Sequence, residues 1–220
     1  MSATAPHAPG GGPRRPLASR GSRWARAVSR RLAATSITPN RVSLAGLVGA
    51  AAGGLALALG GHADGAARAL WMALAAALCQ FRLLCNLFDG MLAVEAGRAT
   101  PDGGVWNEVP DRFSDIALFV GCGVGIGEPA LGWAAAALAV LCAYVRENGV
   151  AVDGVADFAG PMAKQQRMAV LTVAALASGL WPFGGDPDAV LEIALWAIAL
   201  GAALTSVRRV ARALARLNGR

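Results

Sequence analysis

Four oxygen-bearing side chains fall in two pairs, Asn86 with Asp89 three residues on and Asp111 with Asp115 four residues on. In a helix each spacing puts both members of a pair on one face. The first pair closes an apolar stretch that runs out through Gln80, Arg82, Asn86, Asp89 and Gly90, and the second opens the next one. The connection from Glu95 to Pro110 carries the turn residues Pro101, Asp102, Gly103 and Gly104. Two neighbouring antiparallel helices would therefore aim all four side chains at one point. Three carboxylates and an amide crowded at one depth repel and lose hydration unless positive charge sits among them. A hard divalent ion meets that demand, Mg²⁺ or Mn²⁺ with Ca²⁺ also compatible, and such an ion commonly carries a phosphate or pyrophosphate substrate. The other reading is that Asp111 and Asp115 simply pair with Arg82, Arg112 or Arg146.

The elements that must position these residues are greasy. Of 220 residues, 55% are hydrophobic and only 15% charged, with a mean hydropathy of +0.49, which excludes an ordinary soluble core. Turn residues divide the chain into six apolar stretches: Val42 to Gly60, Ala69 to Phe88, Phe113 to Ile126, Leu131 to Val145, Met168 to Trp181 and Ala189 to Val207. They are rich in Ala and Leu and lack the period-2 alternation of a membrane barrel. The expected fold is an all-α membrane protein with six transmembrane helices. Three stretches fall short of the ~20 residues that cross a bilayer. Those helices must continue through polar residues, which places a recessed polar site at their ends.

Cations fix the expected orientation, because they stay on the cytoplasmic side of helix ends. Of the 20 Lys and Arg residues, all but Arg68 fall on one side of the six-stretch map. The chain reads as a multi-pass inner-membrane protein with both termini cytosolic. A pI near 10 then points to anionic membrane lipid as the partner and not to nucleic acid. Residues 1–16, rich in Gly, Pro and Ala, read as a disordered N-terminus without a cleavable signal peptide. Residues 17–34, where arginines alternate with Leu17, Trp24, Val28 and Leu32, read as an amphipathic helix lying on the membrane surface. Residues 35–207 form the six-span domain and residues 208–220 a basic cytosolic tail. Cys79, Cys85, Cys122 and Cys142 lie in apolar stretches with no C-x-x-C spacing and read as packing residues. Gly121, Gly123, Gly125 and Gly127 would let helices approach closely, within the chain or in a homodimer.

The order Asn86-Leu87-Phe88-Asp89-Gly90-Met91-Leu92-Ala93-Val94, then Asn107-Glu108-Val109-Pro110-Asp111-Arg112-Phe113-Ser114-Asp115, resembles the D-x-x-D-G-x-x-A-R and G-x-x-x-D-x-x-x-D signature of the CDP-alcohol phosphatidyltransferases. Thr38-Pro39-Asn40 resembles that family's opening, and the likeness covers most of residues 35–207. It implies an enzyme of phospholipid biosynthesis that transfers a phosphatidyl group from a CDP-linked lipid to a small alcohol and releases CMP. By the resemblance, Asn86, Asp89, Asp111 and Asp115 take the metal positions, with Asp115 activating the acceptor hydroxyl. Gly90 and Ala93 leave room for the cytidine. Arg146, Lys164 and Arg167 are placed to bind substrate phosphate, a role that positive-inside anchoring rivals. Three positions depart from the signature: Asn86 replaces an Asp, Val94 an Arg and Asn107 a Gly. Asn86 keeps an oxygen but removes a charge, which weakens a metal site. Arg98 or Arg112 could stand in for the missing Arg, and Glu108 for the missing carboxylate.

The rival function is a relative that has lost turnover and serves as a lipid-binding scaffold, which the changes at Asn86 and Val94 favour. A pyrophosphate-using prenyltransferase fits neither the spacing nor the span count. A transporter is disfavoured because the charges gather at one face rather than at the midplane. The topology gives the first prediction. Reporter fusions at Pro101, Gly154 and Gly219 are expected to read cytosolic and those at Asp64, Glu128 and Asp186 external; a cytosolic signal at Asp186 contradicts the map.

Overall fold

The structure is a computed structural model that describes residues 22–180 and 185–219. The expectations for residues 1–16, for Leu17 and for the end of the fifth stretch at Trp181 lie outside those residues. The chain is all-helical over the described residues: α1 (Arg23–Ala33), α2 (Pro39–Gly61), α3 (Gly65–Glu95), α4 (Gly103–Gly125), α5 (Pro129–Asp153), α6 (Lys164–Gly179) and α7 (Asp188–Asn218). Helix starts follow the sequence. Thr38 caps α2, its hydroxyl accepting from Arg41 N at 3.3 Å with Pro39 in the first turn, the arrangement that suits both residue types. Gly154, at φ 77°, ends α5 in a left-handed turn.

Four helices, α2, α3, α5 and α7, are long and apolar enough to cross a membrane. The other two of the expected six, α4 and α6, do not meet that measure. The α6 helix has 16 residues, and α4 spends its first turns on Asn107, Glu108, Asp111, Arg112 and Asp115. Moreover, α4 begins at Gly103 and runs through Pro110, whereas a sequence reading opens it after the proline. Pro110, two turns into the helix, removes the bond its own N–H would make to the Trp106 carbonyl and crowds that carbonyl, yet α4 continues on both sides of it. The α3 helix likewise runs on past Phe88 to Glu95, so both polar pairs are fully helical.

The core runs through the middle of α2 to α7. α2 packs along both α3 and α4, α3 along α6, and α5 along α4 and α7. α3 and α4 touch one another only slightly. Glycine makes the α2–α4 approach feasible. A Cβ built on Gly54 would lie 2.1 Å from the Ala117 carbonyl oxygen, one on Gly121 2.2 Å from the Gly54 carbonyl, and one on Gly61 2.1 Å from the Gly125 carbonyl. The backbones are in contact, as small residues permit. At the end of the bundle away from the polar pairs sits Arg68, the one cation on its side of the sequence map. It is buried and donates to the Gly61 carbonyl (3.3 Å), Ser178 Oγ (2.6 Å) and Asp188 Oδ1 (2.5 Å). That one side chain joins α3 to α2, α6 and α7. At the polar end α1 lays Ala25, Val28 and Leu32 against Leu87, Phe88 and Met91 of α3, with Trp24 edge-on to Phe88 at 6.1 Å between ring centroids.

Replacing Gly54 by Val is expected to cost about 1–3 kcal/mol through forced separation of α2 and α4, seen as a lower unfolding midpoint in detergent. Gly104→Ala, where an added Cβ meets nothing within 4 Å, is the control and does not lower the midpoint.

Candidate functional site

Because α2 wedges α3 and α4 apart, their polar ends splay around a cavity of about 530 Å³. Its wall takes Asn86, Asp89, Gly90 and Ala93 from α3, Asn107, Glu108 and Asp111 from α4, Arg146 from α5 and Lys164 from α6. Asp115 and Arg167 do not reach the wall. They lie deeper, both essentially buried.

The four oxygen-bearing side chains divide among different partners. Asn86 Nδ2 donates to Asp111 Oδ1 at 3.3 Å and to Asn107 Oδ1 at 3.4 Å, so these residues of α3 and α4 do meet. Lys164 Nζ donates to Asn86 Oδ1 at 2.8 Å and to Asp111 Oδ2. The Arg82 guanidinium, one turn before Asn86, closes on Asp111 Oδ1. Asp89 turns the other way, accepting from Ser43 Oγ of α2 at 2.7 Å. Asp115 pairs with Arg167 at 2.8 Å, and Arg167 also donates to the Met162 carbonyl at 3.1 Å. Among the described residues no three His, Cys, Asp or Glu side chains stand close enough together to hold an ion as drawn. Arginine and lysine thus supply much of the charge balance; of the partners the ion-pair reading named, Arg82 does pair with Asp111, whereas Arg112 and Arg146 hold Glu108 and the partner of Asp115 is Arg167, which that reading did not name.

Two features nevertheless fit a divalent cation. Asp89 Oδ1 and Asp115 Oδ1 are buried and have no hydrogen-bond partner, and an anionic oxygen left unanswered at such depth is costly. The donor set Asn86, Asp89, Asp111 and Asp115 is also entirely oxygen, as Mg²⁺ and Mn²⁺ require.

The stand-in residues suggested by the sequence are committed elsewhere. Arg98 donates to the carbonyls of Ala33 (2.8 Å), Thr35 (3.0 Å) and Ile37 (2.9 Å); it ties the turn after α1 to the α3–α4 connection. Arg112 pairs with Glu108, and Glu108 accepts also from Arg146 at 2.6 Å. Arg146 in turn bonds Glu147 at 2.8 Å and lies 5.7 Å over the Phe158 ring. In the connection itself, the Thr100 side chain, followed by Trp106 and Asn40, holds the Asp102 carboxyl below its ordinary pKa by hydrogen bonding. Ser43 was not singled out from the sequence. Its signal is there: a hydroxyl one turn after Thr38-Pro39-Asn40 in an otherwise apolar stretch needs a partner.

The sequence matches no family model. It is 29% identical over 192 residues to a phosphatidylinositol phosphate synthase of Mycolicibacterium smegmatis, covering 84% of this chain and 81% of that one. It is also 29% identical over 150 residues to the inner membrane protein YnbA of Escherichia coli, covering 66% and 70%. Among solved structures, the phosphatidylinositol phosphate synthase of Mycobacterium tuberculosis with CDP-DAG bound superposes with a TM-score of 0.71 at 23% identity, covering 87% of this chain and 94% of that one. The same enzyme in complex with manganese and citrate gives 0.71 and 23% over 86% and 88%. These likenesses bear out the resemblance to the CDP-alcohol phosphatidyltransferases drawn from the signature spacing, and with it the expectation of an enzyme. With four membrane-length apolar helices and an inner-membrane relative, the chain is a membrane protein.

The Asp115–Arg167 pair generates a prediction that needs no activity. Arg167→Met leaves Asp115 as an uncompensated buried charge and is expected to cost about 3–5 kcal/mol in detergent unfolding. Arg167→Met with Asp115→Leu, which removes both charges, recovers most of that loss. A single variant as stable as wild type contradicts the pairing.

Proposed function

We propose that this chain transfers a phosphatidyl group from a CDP-linked lipid to a small alcohol and releases CMP, at the cytosolic face of a six-span inner-membrane domain. The observation that carries the reading is the set of oxygen-bearing side chains at the end of α3 and α4, with Asn86, Asp89 and Asp111 on the cavity wall and Asp115 one turn deeper on α4. The sequence relatives and the CDP-DAG-bound structural neighbour support it. α4 and α6 join the four long helices as spans, their polar ends sunk to the depth of the site. Both termini are cytosolic, and α1 lies along the membrane surface with its arginines outward.

Asp89 and Asp111, with the amide oxygen of Asn86, would hold a divalent ion, Mg²⁺ or Mn²⁺, with Asp115 completing the set. Bound there, the ion would supply positive charge to neutralise the pyrophosphate of the CDP-lipid. The chain's own residues do the rest. Gly90 and Ala93, lacking bulk, admit the cytidine against α3. Arg146 and Lys164 make the opposite wall basic, and with Arg167 behind them they favour an acceptor that itself carries phosphate. Arg167 occupies Asp115 Oδ2 and so presents Oδ1, the oxygen without a partner, as the base. The acceptor hydroxyl gives its proton to Asp115, its oxygen bonds to the lipid-side phosphorus, and the bond from that phosphorus to the CMP oxygen breaks.

Purified protein in detergent, given CDP-diacylglycerol, Mn²⁺ or Mg²⁺ and a panel of alcohols that includes glycerol phosphate, inositol phosphate and serine, is expected to release CMP with one acceptor and only with metal. Asp89→Ala and Asp111→Ala abolish that release. Asp115→Asn retains CDP-lipid binding and loses about 10²- to 10⁴-fold in rate. A fully active Asp115→Asn contradicts the base assignment. CDP-lipid binding without CMP release from any acceptor replaces the transferase with the lipid-binding scaffold.

A further inference from the structure

Residues 154–163 join α5 to α6 without helix or strand. Their own turns supply two side-chain bonds, Val155 N to Asp153 Oδ1 and Ala159 N to Asp157 Oδ1, both 2.9 Å. Most of the remaining polar anchorage comes from α7. Thr205 Oγ1 accepts from Met162 N at 3.1 Å. Arg209 Nε and Arg212 Nη2 each donate to the Ala159 carbonyl at 3.2 Å. Arg212 Nε bonds Asp157 Oδ2 at 2.6 Å, and Arg216 Nε bonds Asp153 Oδ2 at 2.7 Å. Arg209 reaches further, to the Cys142 carbonyl of α5 at 2.7 Å. Positions 205, 209, 212 and 216 follow the four-three-four spacing of one helix stripe. A Cβ on Gly160 would sit 2.3 Å from Thr205 Cγ2, so the segment's backbone rests directly on that stripe.

An arginine whose only duty is to anchor a helix end in headgroups points outward. Arg208 does so, being exposed, while its neighbour Arg209 is buried. The stripe is therefore aimed at the segment rather than at lipid. The segment is also a wall of the cavity: Ala156 and Phe158 line it, and Phe158 lies beneath the guanidinium of Arg146, another lining residue. Among the described residues, α7 supplies no lining side chain of its own.

We infer that Thr205, Arg209, Arg212 and Arg216 are positioning residues: the end of α7 clamps the α5–α6 segment, fixing Phe158 and through it Arg146, and so sets affinity for the acceptor on that side of the cavity. The clamp is a matter of geometry; its effect on an acceptor rests on the transferase reading. Arg212 carries the test well, because its own side chain is 42% exposed; its partner Asp157, 14% exposed, loses its ion pair when Arg212 is replaced, and the Asp157→Asn arm removes that charge instead.

Hydrogen–deuterium exchange on the full chain in detergent, read beside CMP-release kinetics, tests both halves. In Arg212→Gln and in Asp157→Asn, exchange across 154–163 is expected to speed up about tenfold while α2 and α4 keep wild-type protection. The acceptor KM rises about tenfold with the KM for CDP-lipid and kcat unchanged. The exchanged pair Arg212→Asp with Asp157→Arg restores both readings. Unchanged exchange in 154–163 overturns the clamp. Faster exchange with an unchanged acceptor KM, or an equal rise in both KM values, overturns the positioning role. A wild-type chain that releases no CMP overturns the transferase reading, and with it the acceptor half; the exchange arm still upholds or overturns the clamp.

Discussion

The carboxylate of Asp111 sits where three helices have to agree. A buried anion is tolerated only when charge and hydrogen bonds reach it from its surroundings, and here they come from Arg82 and Asn86 of α3 and from Lys164 of α6. The neighbouring carboxylates extend the demand, Asp115 of α4 to Arg167 of α6 and Asp89 of α3 to Ser43 of α2. Satisfying these groups sets the relative positions of α2, α3, α4 and α6 at one end of the bundle. Arg68 does the corresponding task at the other end. Between the two ends, glycine contacts bring α2 and α4 backbone to backbone, which separates α3 from α4 and opens the cavity. The polar site and the packing are consequences of each other.

The departures from the family signature gain a physical setting. With Asn at position 86 the cluster carries one negative charge fewer, and the amide spends its donor on Asp111 and its acceptor on Lys164. Glu108 does not rejoin the cluster, because Arg112 and Arg146 hold it. Arg98 does not replace a cation at Val94; its guanidinium caps the turn after α1. Each candidate compensation is thus spent on fixing a neighbouring element, and the oxygen ligands left to a metal are those of the signature positions themselves.

Helicity was legible in the sequence from the lack of period-2 alternation; of the four side chains expected to converge on one point, Asn86 and Asp111 meet, while Asp89 turns to Ser43 and Asp115 lies deeper against Arg167. The helix order around the site was not. A hydrophobicity pattern shows that α3 and α4 are consecutive, but only the glycine positions on α2 and α4 show that α2 comes between them, and those glycines read equally as general close packing. Pro110 misplaced the start of α4, since the helix begins two turns earlier at Gly103 and runs through the proline. The basic residues after Val207 read as a basic cytosolic tail because composition alone does not tell one arginine from the next. What separates Arg209, Arg212 and Arg216 from Arg208 is the helix face, which matters only once the α5–α6 segment lies against it.

The central claim is that these oxygens hold a divalent ion against the competing ammonium of Lys164 and guanidinium of Arg82. Titration of the purified protein with Mn²⁺, followed by electron paramagnetic resonance, measures that competition without any substrate. The account predicts saturable Mn²⁺ binding in the wild type that is lost in Asp89→Ala and tightened in Asn86→Asp, which restores an anionic ligand on the same face. Identical Mn²⁺ affinity in all three proteins would contradict it.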